Sequence, residues 1–180
     1  MSSRDWTGHG SVPTAARPRL RWRGKKSGPN PTDRAKQGTK RSLLVEAAGV
    51  PVALVVAGAN RNDPKLLGPT LARLPALRPL PSVQRPQGLC LDKGYDYPQT
   101  RALAAEYGLT LHLRPRGEEA KAMTAEPGYR PRRWVVERTH SWLNRFRRLR
   151  VRWEKKAANY EALIHLACAQ LTWQQVTLFG

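Results

Sequence analysis

Apolar and polar positions along this chain fall into a few clear periods. Between residues 129 and 153 (YRPRRWVVERTHSWLNRFRRLRVRW), Val135, Thr139, Trp142, Phe146, Leu149 and Trp153 recur at alternating four- and three-residue spacings. That is the stripe of an amphipathic helix laid on a core, and it predicts one long helix, with Pro131 tolerated near its start. Upstream, the apolar runs 42–48 (SLLVEAA) and 50–59 (VPVALVVAGA) flank Gly49 and predict a β-hairpin whose second strand is largely buried. Asp63 and Pro64 supply the cap and first turn of a helix running to about residue 74. Residues 88–92 (GLCLD) read as a short strand ending in a carboxylate, 98–107 as a helix stopped by Gly108, and 109–113 (LTLHL) as another strand. Asn159 caps a last helix over residues 160–176, with Leu163, Ile164, Ala167, Leu171 and Val176 turned to the core. The order is strand, strand, helix, strand, helix, strand, long helix, helix, which predicts an α/β fold in which a mixed sheet is covered by helices.

Residues 1–40 keep no apolar period. Their Arg, Pro, Gly and Ser content predicts a basic, irregular arm ahead of a folded unit over residues 41–180. Trp6 and Trp22 in that arm have the chemistry to stack on bases, although tryptophans so isolated need no function.

Charge sharpens this division. The chain carries 32 Lys and Arg against 13 Asp and Glu, a formal net charge of +19. Residues 1–41 hold eleven Lys and Arg against two acids, residues 130–156 repeat those counts, and the stretch between is nearer balance. Two basic flanks around a nearly neutral middle call for a partner rich in phosphate, nucleic acid before an anionic membrane. Cys90 and Cys168 form neither a disulfide framework nor a zinc spacing and are expected as buried thiols in a reducing cytoplasm. No apolar run approaches the ~18 residues of a membrane span, and the N-terminus lacks a signal peptide's apolar region, so a soluble cytoplasmic protein is expected.

Two carboxylates stand out. Asp92 ends an apparently buried strand, the place where ligands bind in open α/β sheets; as a turn former ahead of Gly94 it equally needs no such role. Glu137 is the one acid among the nine arginines of residues 129–153, four residues after Arg133. It reads either as part of a solvated, salt-bridged face or as a metal ligand above a nucleic-acid surface. Two acids distant in sequence but able to converge suit Mg2+, which takes one or two carboxylates and completes its shell with phosphates and water. His112 reads as an ordinary strand residue, His140 and His165 lack metal-ligand spacing, and Lys93 is as readily solvated as phosphate-bound.

The segments GPNPTDRAKQGTKRSLL, VALVVAGANRNDPKLL, LCLDKGYDYPQTR and RRWVVERTHSWLNRFRRLRVRWEKK resemble bacterial insertion-sequence transposases of the DDE class, in the insertion-sequence-five branch of the insertion-sequence-four type. The resemblance runs from about residue 24 to residue 175. It implies a ribonuclease-H-like fold in which three acids bind two Mg2+ (or Mn2+) ions, and an activity that cuts DNA phosphodiesters and joins strands during transposition. The second acid of that family follows the fourth strand, a role that falls to Asp92. The third lies on the long helix in a tyrosine–arginine–glutamate motif, which assigns Glu137 with Arg133 as its auxiliary arginine. Tyr129 stands one residue further upstream than usual, and the motif's later basic position is Asn144, with Arg145 beside it.

The departure lies in the first acid. Where the family has an Asp on its opening strand, this chain reads SVPTAARPRLRWRGKKS, with no acid; Asp5 precedes that stretch and Asp33 follows it. The expectation is a chain whose first strand is missing or replaced, through a truncated or frame-shifted N-terminus. Double-stranded DNA, as element ends and target, is the expected partner, contacted through Arg138, Arg145, Arg147, Arg148, Arg150 and Arg152, with the protein at the nucleoid. Self-association, or pairing with a full-length transposase, is a further expectation. The alternatives are a DNA-binding remnant that does not cut and, from another class, a basic RNA-associated structural protein. A pure binder gains nothing from carboxylates inside a basic cleft, which disfavours the last.

Overall fold

The computed structural model describes residues 6–9, 19–20, 24–31, 34–75, 79–113, 124–125 and 134–179. Eight strands form its mixed sheet: β1 (Trp6–His9), β2 (Arg19–Leu20), β3 (Gly28–Pro29), β4 (Gln37–Glu46), β5 (Pro51–Gly58), β6 (Gly88–Leu91), β7 (Thr110–Leu113) and β8 (Val151–Arg152). The helices are α1 (Pro64–Leu71), α2 (Pro98–Glu106), α3 (Trp134–Asn144), α4 (Arg147–Arg150) and α5 (Ala157–Phe179). The expected α/β class with a helix-covered sheet is what the chain forms.

The hairpin of β4 and β5 is the backbone of the sheet, with antiparallel pairing from Thr39↔Gly58 to Val45↔Pro51. Its turn needs Gly49, whose φ of +88° is left-handed. A side chain would also be crowded there: an added Cβ would lie 3.1 Å from Thr139 Oγ1 and from Arg138 Nη2. On the other edge of β4 lies β1, antiparallel, with Trp6 opposite Glu46. Beyond it β6 runs parallel to β1, and β7 parallel to β6. The connection from α2 to β7 is short, and Gly108 ends α2 at φ +66° as its position predicts.

Alternation along β4 divides the core in two. Leu43 and Val45 face a cluster with Leu54, Val56, Val135, Val136, Leu143, Leu149, Tyr160 and Ile164, under α3 and α5. Leu44 faces the opposite way, onto Leu67, Leu71, Leu89, Leu91 and Tyr95, under α1 and α2. A strand covered on both sides reads as a continuous apolar run, which is why residues 42–48 and 50–59 stood out.

The sequence reading needs correction in three places. Residues 6–9, placed in an irregular arm, form a strand between β4 and β6; β2 and β3 also pair with β4. Pairing across the sheet therefore crosses the boundary set at residue 40. Short strands with Gly, Pro and Arg show no period of their own and are recruited by the long partner strand. Second, the single helix expected over residues 129–153 is broken. Arg145 and Phe146 close on Trp142 and Leu143 by three-residue hydrogen bonds, and Phe146 is extended (φ −76°, ψ 106°) before α4 begins. The stripe survives the break up to Leu149, because α4 turns Leu149 back to the same core, but Trp153 is exposed. Third, Val176 lies on the outer side of α5, at 60% exposure.

Arg152 is completely buried on β8. Its guanidinium donates to the carbonyls of Lys25 (3.1 Å), Glu154 (3.1 Å) and Lys155 (3.4 Å) and to Thr39 Oγ1 (3.2 Å), and it sits 5.6 Å from the centre of the Tyr160 ring. A buried cation held by carbonyls is stable only when its donors are matched, and burial lowers its proton affinity. Tyr160, which donates to Leu149 O, has its pKa pushed up to about 12 by the same burial, against the pull of Arg41 and Arg152. Arg152→Met should therefore cost at least ~3 kcal/mol in urea unfolding, since it strands the buried Thr39 hydroxyl and several partly buried carbonyls, whereas exposed Arg150→Met should stay within ~0.5 kcal/mol of the parent. Equal stability of the two variants would remove Arg152 from the framework.

Candidate nucleic-acid and metal site

Asp92 follows β6 directly. It is exposed and extended, and one carboxylate oxygen accepts the N–H of Lys93 at 2.9 Å, capping the 3-10 turn Lys93–Tyr95. Tyr95, buried in the core, anchors that turn from below. The local sequence explains the placement: an apolar strand carries the chain out of the core, and Asp, Lys and Gly turn it at the rim. Among the strands of the main sheet in chain order (β1, β4, β5, β6, β7), β6 is the fourth.

Glu137 lies in the first turn of α3 and is exposed, while Val135, Val136, Thr139 and His140 around it are buried. A carboxylate in a first turn suits the positive end of the helix dipole. The helix packs on β1 and β4. Thr139 Oγ1 donates to Gly49 O at 2.8 Å and Arg138 Nη2 to Ala48 O at 2.8 Å, which pins the helix to the hairpin turn. By register, that turn lies at the Trp6 end of β1, whereas Asp92 follows β6 at the His9 end, where His9 is level with Leu91. The two carboxylates thus stand on elements that both touch β1, and β1 is the strand they would have to meet across.

The residues of β1, Trp6 to His9, include no acid. Asp5, Asp33, Tyr129 and Arg133 lie outside the described residues. Among the described residues no group of three or more His, Cys, Asp and Glu side chains is placed to hold a metal ion. Two exposed carboxylates are nevertheless hard oxygen donors of the kind Mg2+ accepts in company with phosphate and water.

The expected arginine surface divides in the structure. Arg145, Arg147, Arg148 and Arg150 are exposed around α4, with Arg148 reaching Glu154 at 3.6 Å. Arg152 is not part of it: its charge is spent on protein carbonyls, a correction to the sequence reading. Arg138 is half-buried and stacked between two rings, 4.5 Å from the centre of Trp134 and 4.9 Å from that of Trp142. Such cation–π contacts hold the guanidinium in place. Trp134, 48% exposed, was not singled out from sequence; its four-residue spacing to Arg138 and on to Trp142 was the available signal.

Neither Cys90 nor Cys168 is in a disulfide, and both are partly rather than fully buried. Burial pushes the Cys168 thiol up to about 11, so it is a poor nucleophile and a poor ligand at neutral pH. No helix among the described residues is long and apolar enough to cross a membrane.

Comparison with known proteins bears on this arrangement. Residues 3–171 match the family described as Transposase DDE domain. The chain is also 39% identical, over 155 residues, to the "Putative transposase for insertion sequence element IS402" of Burkholderia cepacia, an alignment that covers 85% of this chain and 71% of that protein. No solved structure matches it. The match begins before β1 and ends within α5, so it takes in the sheet, both carboxylates and the arginine surface. The chain therefore belongs to the DDE transposase family, whose reaction is metal-dependent phosphoryl transfer on DNA.

Proposed function

We propose that this chain is a DDE transposase that binds double-stranded DNA at element ends and target through Arg145, Arg147, Arg148 and Arg150, and that its two described acids are the remains of a three-acid metal site. The observation that carries the reading is the placement of four exposed arginines directly beyond the helix that bears Glu137. Arg138, fixed between its two tryptophans, extends the cationic surface, and Arg133 serves as the auxiliary arginine. Asp92, at the end of the fourth main strand, takes the second acid's role in a ribonuclease-H-like sheet, and Glu137 the third's.

Asp92 and Glu137 are the residues that would hold Mg2+ or Mn2+. When bound, the ion supplies positive charge against the oxyanion that develops on a phosphoryl group. The protein's own part is to orient the two carboxylates: Lys93 N–H fixes one oxygen of Asp92, and the Thr139 and Arg138 contacts fix the helix of Glu137. The arginines neutralise the phosphates on either side and release their counterions. In-line displacement needs both the entering and leaving oxygens held, and the first acid is absent from β1. The chain therefore occupies DNA, alone or with a complete transposase, without cutting it, and its place is the bacterial cytoplasm at the nucleoid.

DNA binding should weaken steeply with salt, with a log–log slope of about one per phosphate neutralised. Arg147→Glu/Arg148→Glu/Arg150→Glu together should abolish most of it, as read by fluorescence anisotropy on a labelled duplex. A triple variant that binds like the parent would locate the DNA surface elsewhere.

The purified chain should also fail to cut or join a plasmid carrying candidate element ends in Mg2+ or Mn2+. Each ~1.36 kcal/mol of lost transition-state stabilisation is roughly tenfold in rate, and a missing ligand should cost several such steps. Metal-dependent cleavage that disappears in Asp92→Asn would overturn this. Asp5→Asn and Asp33→Asn in the same assay would then identify the first acid.

A further inference from the structure

Helix α5 is apolar on two sides. Ile164, Ala167 and Leu171 bury one side in the core. On the opposite side Ala162, Leu166, Ala169, Trp173 and Val176 are all exposed, at successive spacings of four, three, four and three residues. The exposure is large where the side chains are large: 68% for Leu166, 70% for Trp173 and 60% for Val176. A helix of a monomeric protein normally turns a polar face to water, and a four–three apolar stripe is the seam by which two helices pack.

We propose that this seam is a homodimer interface in which α5 of one copy packs antiparallel against α5 of a second. Charge selects the occupant. The whole chain carries a net +19, yet residues 157–180 contain no Lys or Arg and one acid, Glu161. Two copies repel one another over their basic surfaces, so self-association belongs on the face without cations, and a phosphate-rich partner has nothing to grip there. The positions flanking the seam, His165, Gln170, Thr172 and Thr177, include no Lys, Arg, Asp or Glu.

Side-chain size selects the direction. In an antiparallel pair centred between Ala167 and Cys168, Trp173 of one copy lies opposite Ala162 of the other, and Leu166 opposite Ala169. Each large side chain then meets a small one, and the helices approach closely without a void. A parallel pair would set Trp173 against Trp173 and leave the alanines facing each other. One helix pair buries an area at the low end of specific interfaces, below ~1,200 Å2, which corresponds to a reversible dimer rather than an obligate one.

This names the surface for the self-association expected of the chain and is independent of the DNA and metal readings, since the test contains neither. Sedimentation of the full chain over about 1–100 μM should show a mass rising from 20.2 kDa toward twice that value. Leu166→Lys should weaken the dimer at least ~tenfold while leaving the melting temperature of the monomer unchanged, because Leu166 is already exposed. Val83→Lys, at a 94% exposed site off this helix, should have no effect. Added salt should strengthen the dimer or leave it unchanged, the opposite of its effect on DNA binding. Trp173→Ala should dissociate the dimer, and Trp173→Ala combined with Ala162→Trp should restore it. A monomer at every concentration, or a dimer indifferent to Leu166→Lys, would overturn the interface. Failure of the paired swap to restore association would overturn its antiparallel register.

Discussion

Four consecutive polar side chains in the buried strand β4 hold this molecule together. Thr39, Lys40, Arg41 and Ser42 are all below one-tenth exposed, and each reaches a different part of the fold. Thr39 accepts from Arg152 and so ties β8 to the Lys25–Lys26 segment. Lys40 bonds Arg61 O at 2.7 Å and pairs with Asp63 at the entrance to α1. Arg41 donates to Asn144 Oδ1 at 2.6 Å, at the end of α3, and Ser42 shares a 2.8 Å hydrogen bond with Thr70 on α1. A buried polar group without a partner costs roughly 1–3 kcal/mol, so these bonds penalise any packing of the helices that misses them. Apolar contacts alone would hold the layers together less specifically. Arg41 bears the cost of this most plainly: burial lowers its pKa, and its Nε and Nη1 have no hydrogen-bond partner among the described residues.

The functional surfaces depend on this strand. The hairpin turn that follows β4 pins α3 through Thr139 and Arg138, and α3 carries Glu137. The opposite edge of β4 pairs with β1, which positions β6 and so Asp92. The break at Phe146 redirects the chain, so that Leu149 stays in the core while Arg147, Arg148 and Arg150 point to solvent. One short helix thus presents three cations at the cost of a single buried leucine, and Tyr160 receives its last turn by bonding Leu149 O. The exposed arginines and the helix that bears Glu137 are consequently neighbours in space because they are neighbours in sequence across a sharp turn.

Much of this was legible in residue pattern. The β4–β5 hairpin, the strand before Asp92, the helix before Gly108 and the last helix follow from two-residue and 3.6-residue periods and from glycines at turns. The polar run 39–42 hid the first half of β4, because charge and hydroxyls read as surface until partners such as Arg61, 21 residues away, and Arg152, 113 residues away, are known. Arg152 misled for the same reason: beside Arg147, Arg148 and Arg150 it looks like one more cation, and only the carbonyls of Lys25 and Lys155 make it internal. The break at Phe146 was invisible because the apolar stripe runs through it in register as far as Leu149. Short β1 had no period to read and is a strand only by virtue of lying between β4 and β6. For the site, the position of Asp92 at a strand end and of Glu137 on the helix could be read from the residues, while their separation across β1 depends on sheet register that no local pattern encodes.

The central claim is that Asp92 and Glu137 act together on one divalent site. Mn2+ binding to the chain, followed by electron paramagnetic resonance for the parent, Asp92→Asn, Glu137→Gln and the double variant, tests it most directly. A shared site predicts that either single change weakens binding at least ~tenfold and that the double variant is no weaker than the worse single one. Losses that simply add, or Mn2+ binding untouched by either substitution, would mean that the two carboxylates do not share an ion.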